Sequence, residues 1–468
     1  MHIYKNKKVL IFGLGLLGGG VAVTNWFLKQ GAKVIVTDLK MKEQLKPSLK
    51  KIRGKVKLVL GGHNKKIIDQ NDVIVVNPDV PIKNEFIKYA ILKNKIIENE
   101  AIIFYRYFNK PIIGITGTRG KTTTVVWTNY FLNSKYRSSE AGNSLKFPFL
   151  KVLDDVKKLD IAVAEIPSFQ MELFNRIKRA PEIAVITNIY QDHLNRHGTF
   201  KNYALIKSRI FKNQSRNHNL ILNFNNDWTD FLIKRKPKSR IWYFSSKKLN
   251  KKLNGIFYDR SEVYFQENGR KEKVFSLTDF ISSRGGHNLE NLLASSLAAY
   301  IAGCSWKQIQ NKIKSLPQVE FRQEIVFKNK KLTVVNDTTA TSPEGGIAAM
   351  RRFGGPDTIL IAGGTDRNLD YKNWSEEVLK CIKPANVVFL SGSATEKMLK
   401  LFGNKIKKNQ VFETLEECFK KALNLAGQCG KSVVLFSPAA KSFEKFKNEY
   451  DRGEQFNKLV KNKNKLNK

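Results

Sequence analysis

Ile112-Ile113-Gly114-Ile115-Thr116-Gly117-Thr118-Arg119-Gly120-Lys121-Thr122-Thr123 decides how this chain is read. A short apolar run closed by glycines reads as a buried strand running into a tight turn. The backbone N–H groups of Gly117, Thr118, Arg119 and Gly120, with those of a helix opening at Lys121, form a positive concavity suited to phosphate. Lys121 reaches the terminal phosphates, and the hydroxyl of Thr122, followed by Thr123, is placed to ligate Mg²⁺. Ile115 stands where the strict G-x-x-x-x-G-K-[ST] pattern has its first glycine. The pattern still calls for a nucleoside triphosphate.

Working outward, Asn109-Lys110-Pro111 interrupts any helix and marks a restart, so a boundary falls between residues 108 and 109. The segment 1–108 opens with Val9-Leu10-Ile11-Phe12, then Gly13-Leu14-Gly15-Leu16-Leu17-Gly18, a helical stretch to Lys29, and a strand from Lys33 to Asp38. This is a βαβ unit of Rossmann type, in which Asp38 is placed to accept from a uracil or ribose. No second nicotinamide-site signal accompanies it, which sets aside a dehydrogenase. The segment 109–316 carries strands at 161–164, 183–186 and 220–222, a β-rich patch with an Asn268-Gly269 turn, and an Ala-rich helix after His287 as its last element. After Leu316-Pro317 a second Rossmann-like pattern runs over 317–468, with strands at 332–335, 358–361, 386–390 and 432–436. Their carboxyl ends, Asn336-Asp337, Gly363-Gly364, Ser391-Gly392 and Ser437-Pro438, are expected to share one rim. The fold class is therefore α/β in three domains, the central one a phosphate-loop ATPase-type sheet.

The chain has 468 residues, 42% hydrophobic, enough for several cores, and 82 Lys plus Arg against 41 Asp plus Glu, a net charge of +41. The lysines are spread along the chain, and no block resembles a DNA-reading helix or an aromatic RNA platform. Nucleic acid is thus expected to bind only non-specifically. The four cysteines, Cys304, Cys381, Cys418 and Cys429, form no C-x-x-C pair, which suits a reducing compartment. The stretch from Val9 to Val23 follows three lysines as a signal peptide would, but five glycines break it. A cytoplasmic protein without membrane insertion is expected.

A nucleotide site needs an acid for its metal, and Glu165 ends the strand at 161–164. Two of the six histidines, His193 and His197, lie in Asn188-Ile189-Tyr190-Gln191-Asp192-His193-Leu194-Asn195-Arg196-His197-Gly198, which invites a metal or catalytic reading. Asn288 and Asn291 are spaced i, i+3 on one helix face, where their amides can read an adenine edge.

Taken in order, the loop 117–123, Glu165 with Ser168-Phe169-Gln170, Asn188 through Gly198, Gly286-His287-Asn288 with Asn291, and Ser437-Pro438-Ala439 through Ser442 to Phe446-Lys447-Asn448 resemble the Mur ligases end to end. The resemblance implies an ATP- and Mg²⁺-dependent amide ligase. In such an enzyme a carboxylate is phosphorylated and the acyl phosphate is attacked by an amino acid's amine. It points to the members that join D-glutamate to UDP-N-acetylmuramoyl-L-alanine in peptidoglycan precursor synthesis, acting as monomers. It implies that Lys121, Glu165, His193 and Lys207 are catalytic. It further implies that Thr122, Glu165, His193 and a carbamylated Lys207 hold two Mg²⁺. Arg322 and Asp337 would contact ATP, while Gly15, Leu16, Asp38, Asn143, Thr341, Arg367 and Ser442 would hold the substrates.

Departures from the family pattern cluster around the amino acid. Arg367 stands where lysine is usual, Thr339 replaces another lysine, and the expected aromatic comes one place late as Tyr450, behind Glu449. Arg119 replaces an asparagine, and Leu17 and Gly20 replace a threonine and a serine. These leave two other readings: the same chemistry with another acceptor such as L-glutamate, and an inactive basic scaffold that binds nucleic acid.

Overall fold

Runs of β-branched residues such as Val73-Ile74-Val75-Val76 build strands buried on both faces, which parallel sheets covered by helices require. In the computed structural model, which describes residues 3–16, 18–142 and 147–466, the first sheet contains β1 (Lys8–Phe12), β2 (Lys33–Asp38), β3 (Lys57–Leu60), β4 (Val73–Val76) and β5 (Ile96–Glu98). All pairings are parallel, in the order β3-β2-β1-β4-β5. The order reverses at β1, so the loops after β1 and β4 flank the crevice where such sheets take ligands. The helix Gly19–Lys29 lies close against the first loop. A Cβ on Gly20 would stand 2.2 Å from the Leu14 carbonyl oxygen, so the serine usual in the family has no room in this packing. Leu17 and Asn143 lie outside the described residues.

The second sheet contains β6 (Ile112–Thr116), β7 (Ser138–Ala141), β8 (Ile161–Glu165), β9 (Ile183–Ile186), β10 (Asn219–Asn223), β11 (Arg240–Ser245), β12 (Gly255–Asp259), β13 (Glu262–Glu267) and β14 (Arg270–Ser276). Its order is β14-β13-β12-β11-β10-β9-β6-β8-β7, with β6 flanked by β8 and β9. The β13–β14 pair is the hairpin read from Asn268-Gly269, whose φ values of +49° and +78° match a two-residue turn with both central residues left-handed. The Ala-rich helix His287–Ile301 is not the last element of this region, contrary to the sequence reading. The helix Trp306–Ile313 follows it, opened by a Ser305–Gln308 capping box. Its apolar residues are only Trp306, Ile309 and Ile313, too few to stand out in a lysine- and glutamine-rich stretch.

The third sheet contains β15 (Glu324–Lys328), β16 (Leu332–Asn336), β17 (Thr358–Ala362), β18 (Val387–Leu390), β19 (Val411–Phe412) and β20 (Ser432–Phe436). It runs β15-β16-β20-β17-β18-β19, with only β15 antiparallel. The edge strands β15 and β19 carry no clear sequence pattern. Val335, Leu360, Trp374 and Phe389 fill one face of this sheet, and Val334, Ile361, Phe419 and Phe436 the other.

The chain forms two compact units. The first comprises the chain to Thr278 with Asn288–Leu316 and holds the first two sheets; the second comprises Asp279–His287 with Pro317 onward. Among the described residues no helix is long and apolar enough to cross a membrane.

Candidate functional site

Strand β6 delivers the phosphate loop to the sheet's carboxyl edge, and the loop after β9 holds it in place. Asn188 grips both sides of the turn: its carbonyl accepts from Thr118 N at 2.9 Å, its side-chain oxygen accepts from Arg119 N at 2.8 Å, and its amide donates to Arg119 O at 3.2 Å. Thr187 Oγ1 adds a bond to Arg119 O at 2.7 Å. Gly120, at φ +79°, caps the helix Lys121–Leu132, and a Cβ there would meet Asn291 Oδ1 at 2.1 Å. Only glycine fits that position. Lys121 Nζ donates to Thr118 O at 3.1 Å, curling over the loop. Thr122 Oγ1 donates to Glu165 Oε2 at 2.8 Å across from the end of β8. Asn291 Nδ2 donates to Asn288 Oδ1 at 3.0 Å, so the two amides expected to share a helix face are joined.

This arrangement fits both expected groups. The glycine cradle ahead of a 12-residue helix suits a triphosphate. The hydroxyl–carboxylate pair suits Mg²⁺, which takes one or two protein oxygens and completes its shell with phosphate and water. Among the described residues no three His, Cys, Asp or Glu side chains group together, so no all-protein metal cage exists here.

Lys207 comes from the helix Phe200–Ser208 and is 1% exposed. Its Nζ donates to Gly117 O at 2.7 Å. Burial, and after it the Lys121 charge, pushes its amine well below the usual lysine range. A neutral amine is the form that captures CO₂, so the environment suits carbamylation. His193 sits at φ +53° ahead of the helix Leu194–His197, its Nε2 3.6 Å from Asp192 Oδ2. Burial raises the Asp192 carboxyl, but His193 and Arg119 outweigh it and hold the group below the ordinary range.

In the first sheet, Asp38 accepts from Leu14 N at 2.9 Å, Gly15 N at 3.0 Å and Lys40 N at 2.9 Å. Three of a carboxylate's roughly four acceptor positions are thereby used on backbone N–H groups, two of them in the glycine loop itself. Asp38 braces the turn that carries Gly15 and the half-exposed Leu16, which leaves it little capacity for a ligand.

In the second unit, Asp337 accepts from Ser437 Oγ at 2.8 Å and Gln323 N at 3.0 Å. Burial lifts its carboxyl to about 7, against the pull of these donors and of Arg322. The expected common rim is present, since Gly363 N donates to Pro438 O at 3.0 Å and Ala394 N to Gly364 O at 2.8 Å. Arg367 is exposed and Thr341 half-buried. Ser442 is 2% exposed, and among the described residues its Oγ has no hydrogen-bond partner. Thr365 and Lys441 exchange backbone bonds, so the loops bearing Arg367 and Ser442 are neighbours. Lys441 Nζ lies 3.1 Å from Glu449 Oε1. Thr339 Oγ1 turns onto Phe321 O at 2.7 Å, and Tyr450 stacks edge-on to Phe321.

The Mur ligase middle-domain family matches residues 115–299, and the N-terminal domain family described as Mur ligase MurD-like matches residues 7–98. The UDP-N-acetylmuramoylalanine–D-glutamate ligase of Roseiflexus sp. (strain RS-1) is 33% identical over 462 residues, 97% of this chain and 98% of that one. The chain belongs to the Mur ligase family. Further relatives of the same name, from Thermoanaerobacter sp. (strain X514) and Borreliella afzelii (strain PKo), are 34% and 31% identical, each over 97% of this chain and 98% of theirs. The Mur ligase fold is seen again in a UDP-N-acetylmuramate-alanine ligase, MurC, from Thermotoga maritima, at TM-score 0.58 and 19% identity over 98% of this chain and all of that one. A MurF ligase from the same organism in complex with ADP gives TM-score 0.54 at 18% identity, over 98% and 96% of the two chains.

Two charged anchors of this Mur ligase escape a reading by sequence. Arg452 is fully buried and spends its guanidinium on Thr338 Oγ1, Thr338 O, Ala440 O and Lys441 O, bracing the loops after β16 and β20. Glu172 receives a forked pair from Arg196 at 2.8 Å. Arg452 follows the Phe446-Lys447-Asn448 motif and Glu172 follows Ser168-Phe169-Gln170, and only the folded chain reveals their partners.

Proposed function

We propose that this Mur ligase joins D-glutamate to UDP-N-acetylmuramoyl-L-alanine at the expense of ATP, using three domains: 1–108 for the UDP substrate, 109–316 for ATP and 317–468 for the amino acid. The observation that carries the chemistry is the phosphate loop 117–123 with Thr122 Oγ1 on Glu165; the relatives named D-glutamate ligases over nearly the whole chain support the choice of substrates.

A carboxylate oxygen of the UDP substrate attacks the γ-phosphorus and ADP departs. The amine of glutamate then attacks the acyl phosphate carbonyl, phosphate leaves, and the amine gives up a proton. Lys121 neutralises charge on the transferring phosphoryl group, and the loop N–H groups orient it. Mg²⁺, when bound, supplies charge neutralisation between phosphate oxygens. Thr122 and Glu165 are the residues to hold one ion, with His193 and Lys207 as its carbamate to hold a second. Asn288 and Asn291 face the adenine, and Arg322 and Asp337 meet ATP from the third domain. Gly15 and Leu16 face the UDP moiety. Arg367, Thr341 and Ser442 receive the amino acid, Arg367 offering a two-pronged grip on a carboxylate. The enzyme acts in the cytoplasm as a monomer, and its positive charge retains nucleic acid only non-specifically.

A second reading keeps the chemistry and changes the acceptor to L-glutamate. Arginine at 367 and the half-buried Lys441–Glu449 pair next to Ser442 favour keeping it in the test. Phosphate release with Mg-ATP and UDP-N-acetylmuramoyl-L-alanine is measured across D- and L-glutamate, D- and L-aspartate and L-lysine, with product mass confirmed. Turnover with D-glutamate alone is expected; turnover with another acceptor selects the second reading, and silence throughout rejects both.

A further inference from the structure

The side chain of Arg196 is about one-tenth exposed and uses its whole donor fork. Nε and Nη2 each donate to one oxygen of Glu172 at 2.8 Å. Nη1 donates to Asp79 O at 3.0 Å and Nη2 to Val80 O at 2.9 Å. These carbonyls belong to the loop after β4 in the first sheet, whereas Arg196 and Glu172 belong to the second sheet's loops. One guanidinium therefore spans the two sheets of the first unit.

Each end of this link continues to a proposed substrate or metal contact. On the first-sheet side, Val80 N donates to Asn77 O at 2.9 Å, Asn77 N donates to Phe12 O at 3.0 Å, and Asn77 Nδ2 donates to Gly13 O at 3.1 Å. Gly13 begins the glycine loop of Gly15 and Leu16. On the second-sheet side, Arg196 N donates to His193 O at 3.0 Å. The Phe169 ring lies between the two side chains, 5.0 Å from the Arg196 guanidinium carbon and 4.7 Å from the His193 ring centroid. Glu172 is itself anchored, for Ile82 N reaches its Oε2 at 3.4 Å and Arg209 donates to its backbone carbonyl.

We infer that Arg196 is a positioning residue that fixes the UDP-substrate loop of the first sheet at a set distance from His193 and the phosphate loop. The inference rests on the ligase reading above. The UDP end of the substrate and its reacting carboxylate are held by different sheets, so the spacing between sheets decides whether that carboxylate meets the γ-phosphate. Misplacement of about 1 Å is enough to cost about 10²-fold in rate. Lysine keeps the charge opposite Glu172 and the fold with it, but its single ammonium cannot serve a carboxylate and two carbonyls in fixed directions.

The test compares the full chain with Arg196→Lys by three measurements: initial rates against UDP-N-acetylmuramoyl-L-alanine and ATP, ADP binding by calorimetry, and hydrogen exchange. The variant is expected to raise KM for the UDP substrate and lower kcat by about 10- to 100-fold. ADP affinity stays at the wild-type value, and amide protection falls at residues 77–82 and in the glycine loop. Unchanged KM, kcat and protection overturn the inference. So does a loss of ADP affinity and protection throughout the unit, which marks Arg196 as a general stabiliser. If the wild-type enzyme does not turn over this substrate, the ligase reading fails separately. The exchange pattern then decides the strap: selective loss at 77–82 and the glycine loop upholds it, and anything else overturns it.

Discussion

Thr122 Oγ1 donates a hydrogen bond to Glu165 Oε2 at 2.8 Å, joining the first turn of the helix after the phosphate loop to the end of β8. Forty-three residues apart in sequence, the two oxygens meet because β6 and β8 are parallel neighbours that end together, Ile115 opposite Glu165. Replacing Glu165 by glutamine keeps an acceptor for Thr122 and removes the anionic oxygen. The expected result is a kcat at least about tenfold lower with a raised Mg²⁺ requirement. Phosphate release titrated with Mg²⁺ measures this, and an unshifted titration removes Glu165 from the metal site.

Lys121→Ala deletes the cation that curls over the loop. Lys121 is half-buried and its Nζ donates to Thr118 O within the loop, so the thermal midpoint is expected to stay near that of the wild type while kcat falls by about 10²–10³-fold, the usual cost of removing one preorganised charge partner. Ligation at the wild-type rate by this variant rules the role out.

Burial pushes the Lys207 amine well below its ordinary range, toward the neutral form that adds CO₂. With isotopically labelled bicarbonate, carbon NMR of the wild-type protein is expected to show a carbamate signal that disappears in Lys207→Met. A signal that persists in the variant belongs to another amine.

Burial lifts the Asp337 carboxyl to about 7 from its ordinary 3.8. Between those values the folded state keeps a proton that the unfolded chain has released, so this group's contribution to stability falls as pH rises from about 4 through about 7. Asp337→Asn removes that slope. Urea unfolding across the window is expected to show the variant gaining on the wild type as pH increases; parallel curves would show that Asp337 titrates at its ordinary value.

Arg367 is exposed on the loop after β17, beside the loop that carries Ser442. Arg367→Ala is expected to raise KM for the amino acid by about tenfold or more and leave KM for ATP unchanged. An unchanged amino-acid KM shows that another residue holds the carboxylate.

Much of this was legible in the chain because it is local. Strand, glycine turn and helix follow one another within Ile112–Leu132, and the period and turn chemistry of such a segment are written in adjacent residues. The same holds for β1 to β2, for the Asn268-Gly269 hairpin and for the helix face shared by Asn288 and Asn291. Elements with weak local signals were not legible. The edge strands β15 and β19 and the helix Trp306–Ile313 owe their existence to neighbours more than to their own pattern.

The sequence by itself determined the α/β class, the phosphate loop with Lys121 and Thr122, and the family, because each depends on residue types at short, fixed spacings. Only the tertiary structure decided what long-range hydrogen bonds decide. Asp38 is spent on its own glycine loop, Lys207 is buried against Gly117, Arg452 ties two loops of the third sheet, and Arg196 spans from Glu172 to Asp79 and Val80. A buried charge must find donors or acceptors wherever the fold supplies them. The partners in these bonds lie 23 to 117 residues away in the chain, a separation at which spacing carries no information.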